Sequence, residues 1–98
     1  MLLNEPLPPS KQKLEVSNDS SRPIEVMVEM VPNRYVLQPK DRLILIADGE
    51  GAVRNEGYTV NFYDGGVQIY APWDGEPAAF INGREAETDW NTPASASD

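Results

Sequence analysis

Alternation is clearest in Ile24-Glu25-Val26-Met27-Val28-Glu29-Met30-Val31, where Ile24, Val26, Val28 and Met30 fall on one side and Glu25, Met27 and Glu29 on the other. Successive side chains of a strand point to opposite faces, so this spacing predicts a strand with one core face and one mostly solvated face. Leu14-Glu15-Val16 alternates in the same way ahead of a cluster of turn formers from Asn18 to Pro23. Pro32-Asn33 then turns the chain into Arg34-Tyr35-Val36-Leu37, and Gln38-Pro39-Lys40-Asp41 turns it again. Pro39 presets the first corner of that turn, and Lys40 in place of Gly at the second predicts type I over type II.

Arg42-Leu43-Ile44-Leu45-Ile46-Ala47 breaks the pattern, because Leu43 to Ile46 put large apolar groups on both faces. An outer strand needs only one such face, so the second pair calls for a cover: the arm, a second copy of the chain, or another protein. Tyr58 to Tyr63 and Val67 to Ala71 flank Asp64-Gly65-Gly66 and predict a hairpin. A two-residue loop at Asp64-Gly65 pairs Phe62 with Val67 and Val60 with Ile69, whereas one at Gly65-Gly66 pairs Phe62 with Ile69 and Val60 with Ala71. Both keep one face apolar; a three-residue loop would mix the faces and is rejected. Ala78 to Ile81 and Arg84-Glu85 flank Asn82-Gly83, the dipeptide most suited to a type I′ turn.

Apolar residues nowhere sustain a 3.6 period, and Gly or Pro punctuates the chain throughout, which predicts an all-β domain. The expected fold is a small antiparallel β-sandwich of about seven or eight short strands, immunoglobulin-like or jelly-roll-like, with a small barrel as the alternative. From Leu14 to Ile46, the alternating strand after the Pro23 turn, followed by Leu37, Pro39 and a further strand, resembles the rhythm of immunoglobulin-like accessory domains. That likeness rests on common turn chemistry and designates no family. The proline-rich start suggests an extended arm over residues 1–12, a single β domain over 13–86, and a flexible polar tail over 87–98. Deleting residues 88–98 is expected to change stability by less than about 1 kcal/mol.

Among the 98 residues there is neither His nor Cys. The usual general base, the thiol nucleophile and the common zinc ligands are therefore missing together, and no cofactor site is expected. Glu25 and Glu29 share a strand face, but at ~3.3 Å per residue their Cα atoms lie ~13 Å apart, too far for paired carboxylate chemistry. They read as a solvated face. The formal charge of −8 sits beyond residue 40, where eleven acids face only Arg42, Arg54 and Arg84. Such a field repels nucleic acid and anionic membranes and attracts basic proteins. The start has no secretory signal pattern, which points to a cytoplasmic protein.

These exclusions leave a small, acidic, non-enzymatic protein-interaction module as the expected function. The alternative is a domain binding carbohydrate or peptide through Tyr63, Tyr70 and Trp73, with or without Ca²⁺ in Asp48-Gly49-Glu50-Gly51 or Asp74-Gly75-Glu76. An enzyme based on carboxylates is the remote third reading. Self-association as a homodimer is expected through Leu43, Ile44, Leu45 and Ile46, with Met27 and Val31 as neighbours.

Overall fold

A computed structural model describes residues 11–29, 32–48, 57–72 and 76–93. Among these residues there are eight strands: β1 (Lys11–Ser17), β2 (Ile24–Glu29), β3 (Asn33–Leu37), β4 (Arg42–Asp48), β5 (Thr59–Tyr63), β6 (Gly66–Tyr70), β7 (Ala78–Ile81) and β8 (Arg84–Glu85). They form two four-stranded sheets, ordered β1-β4-β7-β8 and β3-β2-β6-β5. The chain is all-β, with no helix among the described residues. Both sheets are open, so the barrel alternative is not formed.

One core joins the two sheets. Val26, Val28, Tyr35, Leu37, Val67 and Ile69 enter it from β3-β2-β6-β5, and Leu43, Leu45 and Ala79 enter from β1-β4-β7-β8. The contributing strands supply alternate residues, as a face turned to a common interior requires. Tyr58, just before β5, adds a cross-sheet tie by donating its hydroxyl to the Gln12 carbonyl at 3.3 Å. Burial pushes this phenol up to about 12.

Both glycine turns form. Phe62 pairs with Val67 and Val60 with Ile69, the register of a two-residue loop at Asp64-Gly65. Gly65 supplies a φ of 79°, while Asn82 and Gly83 have φ of 52° and 83°, as a type I′ turn demands. Gly66 meets a different constraint, because a Cβ there would lie 2.7 Å from the Glu25 carbonyl oxygen and 2.8 Å from the Tyr63 ring. Its missing side chain lets that ring lie across the strand.

Two expectations need correction. The sheets are not purely antiparallel, because β2 and β6 run parallel, with Val26 opposite Val67 and Val28 opposite Ile69. Alternation specifies which face a residue occupies and carries nothing about the direction of a distant partner. The Pro39 turn takes the type II form: Lys40 has φ of 74°, and the Asp41 amide donates to the Gln38 carbonyl at 2.9 Å. The αL region costs a non-glycine residue roughly 1–2 kcal/mol. Here the Lys40 amide donates to the Asn18 carbonyl at 2.7 Å, and the Gln38 amide to Asp41 Oδ2 at 2.9 Å, which hold the turn in this form. Buried Asn18 completes the corner by donating Nδ2 to the carbonyls of Arg22 and Leu37, each at 2.8 Å.

Residues 87–93, expected within a flexible polar tail, are hydrogen-bonded to β3 and to one another. Asp89 donates its amide to the Arg34 carbonyl at 2.7 Å. Arg34 returns Nη1 to the Asp89 carbonyl at 2.9 Å and Nη2 to that of Thr92 at 2.8 Å. Asp89 Oδ1 also accepts from the amides of Asn91 and Thr92 at 3.0 Å, which curls the segment into a turn. Capture of two backbone carbonyls by one guanidinium is not a pattern that residue spacing announces. At the other end of the domain, β1 begins at Lys11 and so includes the last two residues assigned to the arm.

Candidate functional site

The outward face of β3-β2-β6-β5 follows from pairing. Arg34, Met27, Gln68 and Asn61 form one row across it, and Val36, Glu25, Gly66 and Tyr63 form the next. Glu29, Tyr70 and Thr59 form a third. Tyr63 and Tyr70 thus share a face with Gln68, Asn61 and Thr59, as the alternation predicts. Trp73 lies outside the described residues, as does Val31, and the two acidic loops considered for Ca²⁺ extend beyond them.

Glu25 is the centre of this face. Its Oε1 accepts from Arg34 Nε in an ion pair, and its Oε2 accepts from the Tyr63 hydroxyl at 2.5 Å. The Arg34 side chain is only 10% exposed. The Tyr63 hydrogen bond, then that of Arg34, holds the Glu25 carboxyl below its ordinary range, outweighing partial burial. Burial first, and the Glu25 carboxylate second, push the Tyr63 phenol upward. Neither group is poised for proton transfer near neutrality, since one is held ionised and the other protonated. Nearby, Gln68 Nε2 donates to Glu29 Oε2 at 2.9 Å. The two glutamates therefore belong to hydrogen-bonded pairs and are not simply a solvated face.

The residues expected to self-associate are dispersed. Leu43 and Leu45 are in the core, and Met27 is half-buried between Arg34 and Gln68. Ile44 and Ile46 lie on the opposite face of β4, opposite Glu15 and Phe80 and opposite Lys13 and Ala78. They are only 8% and 3% exposed within the single chain, so the outward pair needs no second copy for its burial.

A different apolar group is open to solvent. Phe62 is 84% exposed although its parity matches that of Val60 and the core face. The cause is position: among the described residues β5 is the last strand of its sheet, with β6 on one side. Thr59, Asn61 and Tyr63 are exposed beside it, so the strand presents an accessible edge. Sequence reasoning assigned Phe62 to the interior because strand order, which makes β5 an edge, was not available to it. The Arg34–Glu25 pair was also missed, although a tight turn at Pro32 would have placed the two side chains diagonally on one face. Among the described residues no helix is long and apolar enough to cross a membrane. No family model, curated protein or solved structure matches the chain.

Proposed function

We propose that the chain is a non-enzymatic interaction module, a two-layer β-sandwich that pairs with a second copy of itself along β5. The observation carrying this reading is the edge Thr59-Val60-Asn61-Phe62-Tyr63, which is uncharged in a chain of formal charge −8 and carries an almost fully exposed Phe62. Open edges offer unpaired backbone groups to another strand, and proteins usually protect them with charge or proline. β5 has neither. Like charges across a symmetric interface would repel, so an uncharged strand is where two acidic copies meet at least cost.

The sequence of β5 is also compatible with a two-fold axis. An antiparallel pair centred on Asn61 sets Val60 of one copy against Phe62 of the other, and Thr59 against Tyr63, so each exposed Phe62 gains an apolar neighbour. Light scattering on the purified protein at ~100 μM is the test, and a dimeric mass is expected. Phe62→Lys should return the mass to that of a monomer with an unchanged far-UV spectrum. A monomeric parent, or a dimer indifferent to Phe62→Lys, rejects the proposal.

A further inference from the structure

We infer that Asn82-Gly83 is a site of spontaneous deamidation, gated by the clasp its carboxamide makes with the β3–β4 turn, and that conversion of Asn82 to a carboxylate opens that clasp. The dipeptide is the only Asn-Gly in the chain, and it forms the turn between β7 and β8. It is independent of β5, which belongs to the other sheet.

The reaction needs no reagent but water and base. Hydroxide takes the proton of the Gly83 amide, and the nitrogen attacks Cγ of Asn82. A new C–N bond closes a five-membered imide, while the bond from Cγ to Nδ2 breaks and that nitrogen leaves as ammonia, taking a proton from water. Water then opens the imide at either carbonyl. One product is aspartate on an unchanged backbone; the other is isoaspartate, whose main chain runs through Cβ and Cγ. Nothing is oxidised or reduced. Glycine favours the attack because no side chain shields its nitrogen. Even a Cβ added at Gly83 would meet nothing within 4 Å, and both turn residues are exposed, so water and base reach them.

The folded turn restrains this chemistry. Asn82 Oδ1 accepts from the Arg42 amide at 2.9 Å, Nδ2 donates to Asp41 Oδ1 at 2.8 Å, and the Asn82 amide donates to the Arg42 carbonyl at 2.9 Å. Both ends of the carboxamide are thus held towards Asp41 and Arg42. Ring closure also requires rotation away from the ψ of about +30° that the first corner of a type I′ turn adopts. The attacking geometry is reached only when the turn opens locally. Once conversion occurs, the clasp does not re-form. Aspartate at 82 keeps an acceptor for the Arg42 amide but has no donor for Asp41. Two carboxylates then face each other where a 2.8 Å hydrogen bond stood, and like charges at that range repel. Asp41 Oδ2 also accepts from the Gln38 amide at 2.9 Å, so the repulsion loads the β3–β4 turn as well. Isoaspartate acts more strongly, because its extra main-chain carbon does not fit the two-residue loop that pairs Ile81 with Arg84.

The experiment incubates the full chain in warm, mildly alkaline buffer, with and without guanidinium chloride, and follows aspartate and isoaspartate at every asparagine by peptide mapping. In denaturant Asn82 should convert fastest of all, and folding should slow it about tenfold or more. Asp41→Ala, which removes one half of the clasp, should raise the folded rate about threefold or more. Asn82→Asp reproduces the aspartate product and should lower the melting temperature. Adding Asp41→Asn to it returns a donor to the contact and should restore most of that loss. The comparison of folded with denatured parent and the Asn82→Asp pair hold whether or not Asp41→Ala folds. An Asn82 rate untouched by folding, a folded Asp41→Ala that converts at the parent's rate, or an Asn82→Asp chain that melts like the parent overturns the inference. So does a paired variant no more stable than Asn82→Asp alone.

Discussion

The two edges of the β3-β2-β6-β5 sheet are treated in opposite ways. At β3, the guanidinium of Arg34 reaches across to hold the carbonyls of Asp89 and Thr92, and Asn33 Nδ2 donates to Glu76 Oε1 at 2.7 Å. Later parts of the chain therefore lie against that edge. At β5, Phe62 stands 84% exposed on a strand with no charge of its own. Both edges carry backbone groups that seek partners, and the difference lies in what the chain supplies locally. An edge strand closed by its own chain belongs to the fold, whereas one left open and uncharged is available for association.

The largest effect should come from Arg34→Met. It leaves the Glu25 carboxylate and two backbone carbonyls without their cation, and urea unfolding should show a loss of about 2–4 kcal/mol. If the loss is below 1 kcal/mol, the β3 edge is not held as described. Next in size is a chain ending at Glu87. Removal of the Asp89 and Thr92 acceptors should cost about 1–3 kcal/mol in the same assay, in contrast to the negligible loss expected from composition alone.

Gly66→Ala should follow, at about 1–2 kcal/mol, because its Cβ would collide with the Glu25 carbonyl and with the Tyr63 ring. Gly83→Ala, where nothing lies within 4 Å, should cost only the strain of its φ of +83°, roughly 1 kcal/mol. A reversed order in thermal melts would show that the Tyr63 ring does not rest on Gly66.

The pH dependence is smaller and has a definite sign. The folded Glu25 carboxyl is lowered from its ordinary 4.5, so it contributes stability above that value which is lost as pH falls through the lower folded value. Glu25→Gln should flatten this acid limb in a series of urea melts. Tyr58, raised from 10.0 to about 12, contributes stability that is full below pH 10 and disappears as pH climbs towards 12. Tyr58→Phe should remove its part of that alkaline limb, leaving the parts of Tyr35 and Tyr63, which are also raised. Smallest of all is the effect of Phe62→Lys on the monomer, within about 0.5 kcal/mol, since an exposed edge residue has little folded-state packing to lose. Its consequence should appear in the mass.

Much of the strand framework was legible in the residues because it depends on local chemistry. The alternation of Ile24, Val26 and Val28 against Glu25 and Met27 determined the faces of β2, and Asp64-Gly65-Gly66 and Asn82-Gly83 located two turns, the first with two registers left open until the pairing of Phe62 with Val67 selected one. The αL conformation of Lys40 was not legible, because it is imposed by Asn18, which is remote in sequence and buried against the turn. Nor was the parallel pairing of β2 with β6, since residues some forty positions apart carry no local signal of direction. Four apolar residues in a row showed that both faces of β4 would be buried, but not how. Tertiary structure alone decided that Ile44 and Ile46 are buried within the chain while Phe62, of core parity, stands at an edge. A period of two assigns a side chain to a face, and only the order of strands determines whether that face has anything opposite it.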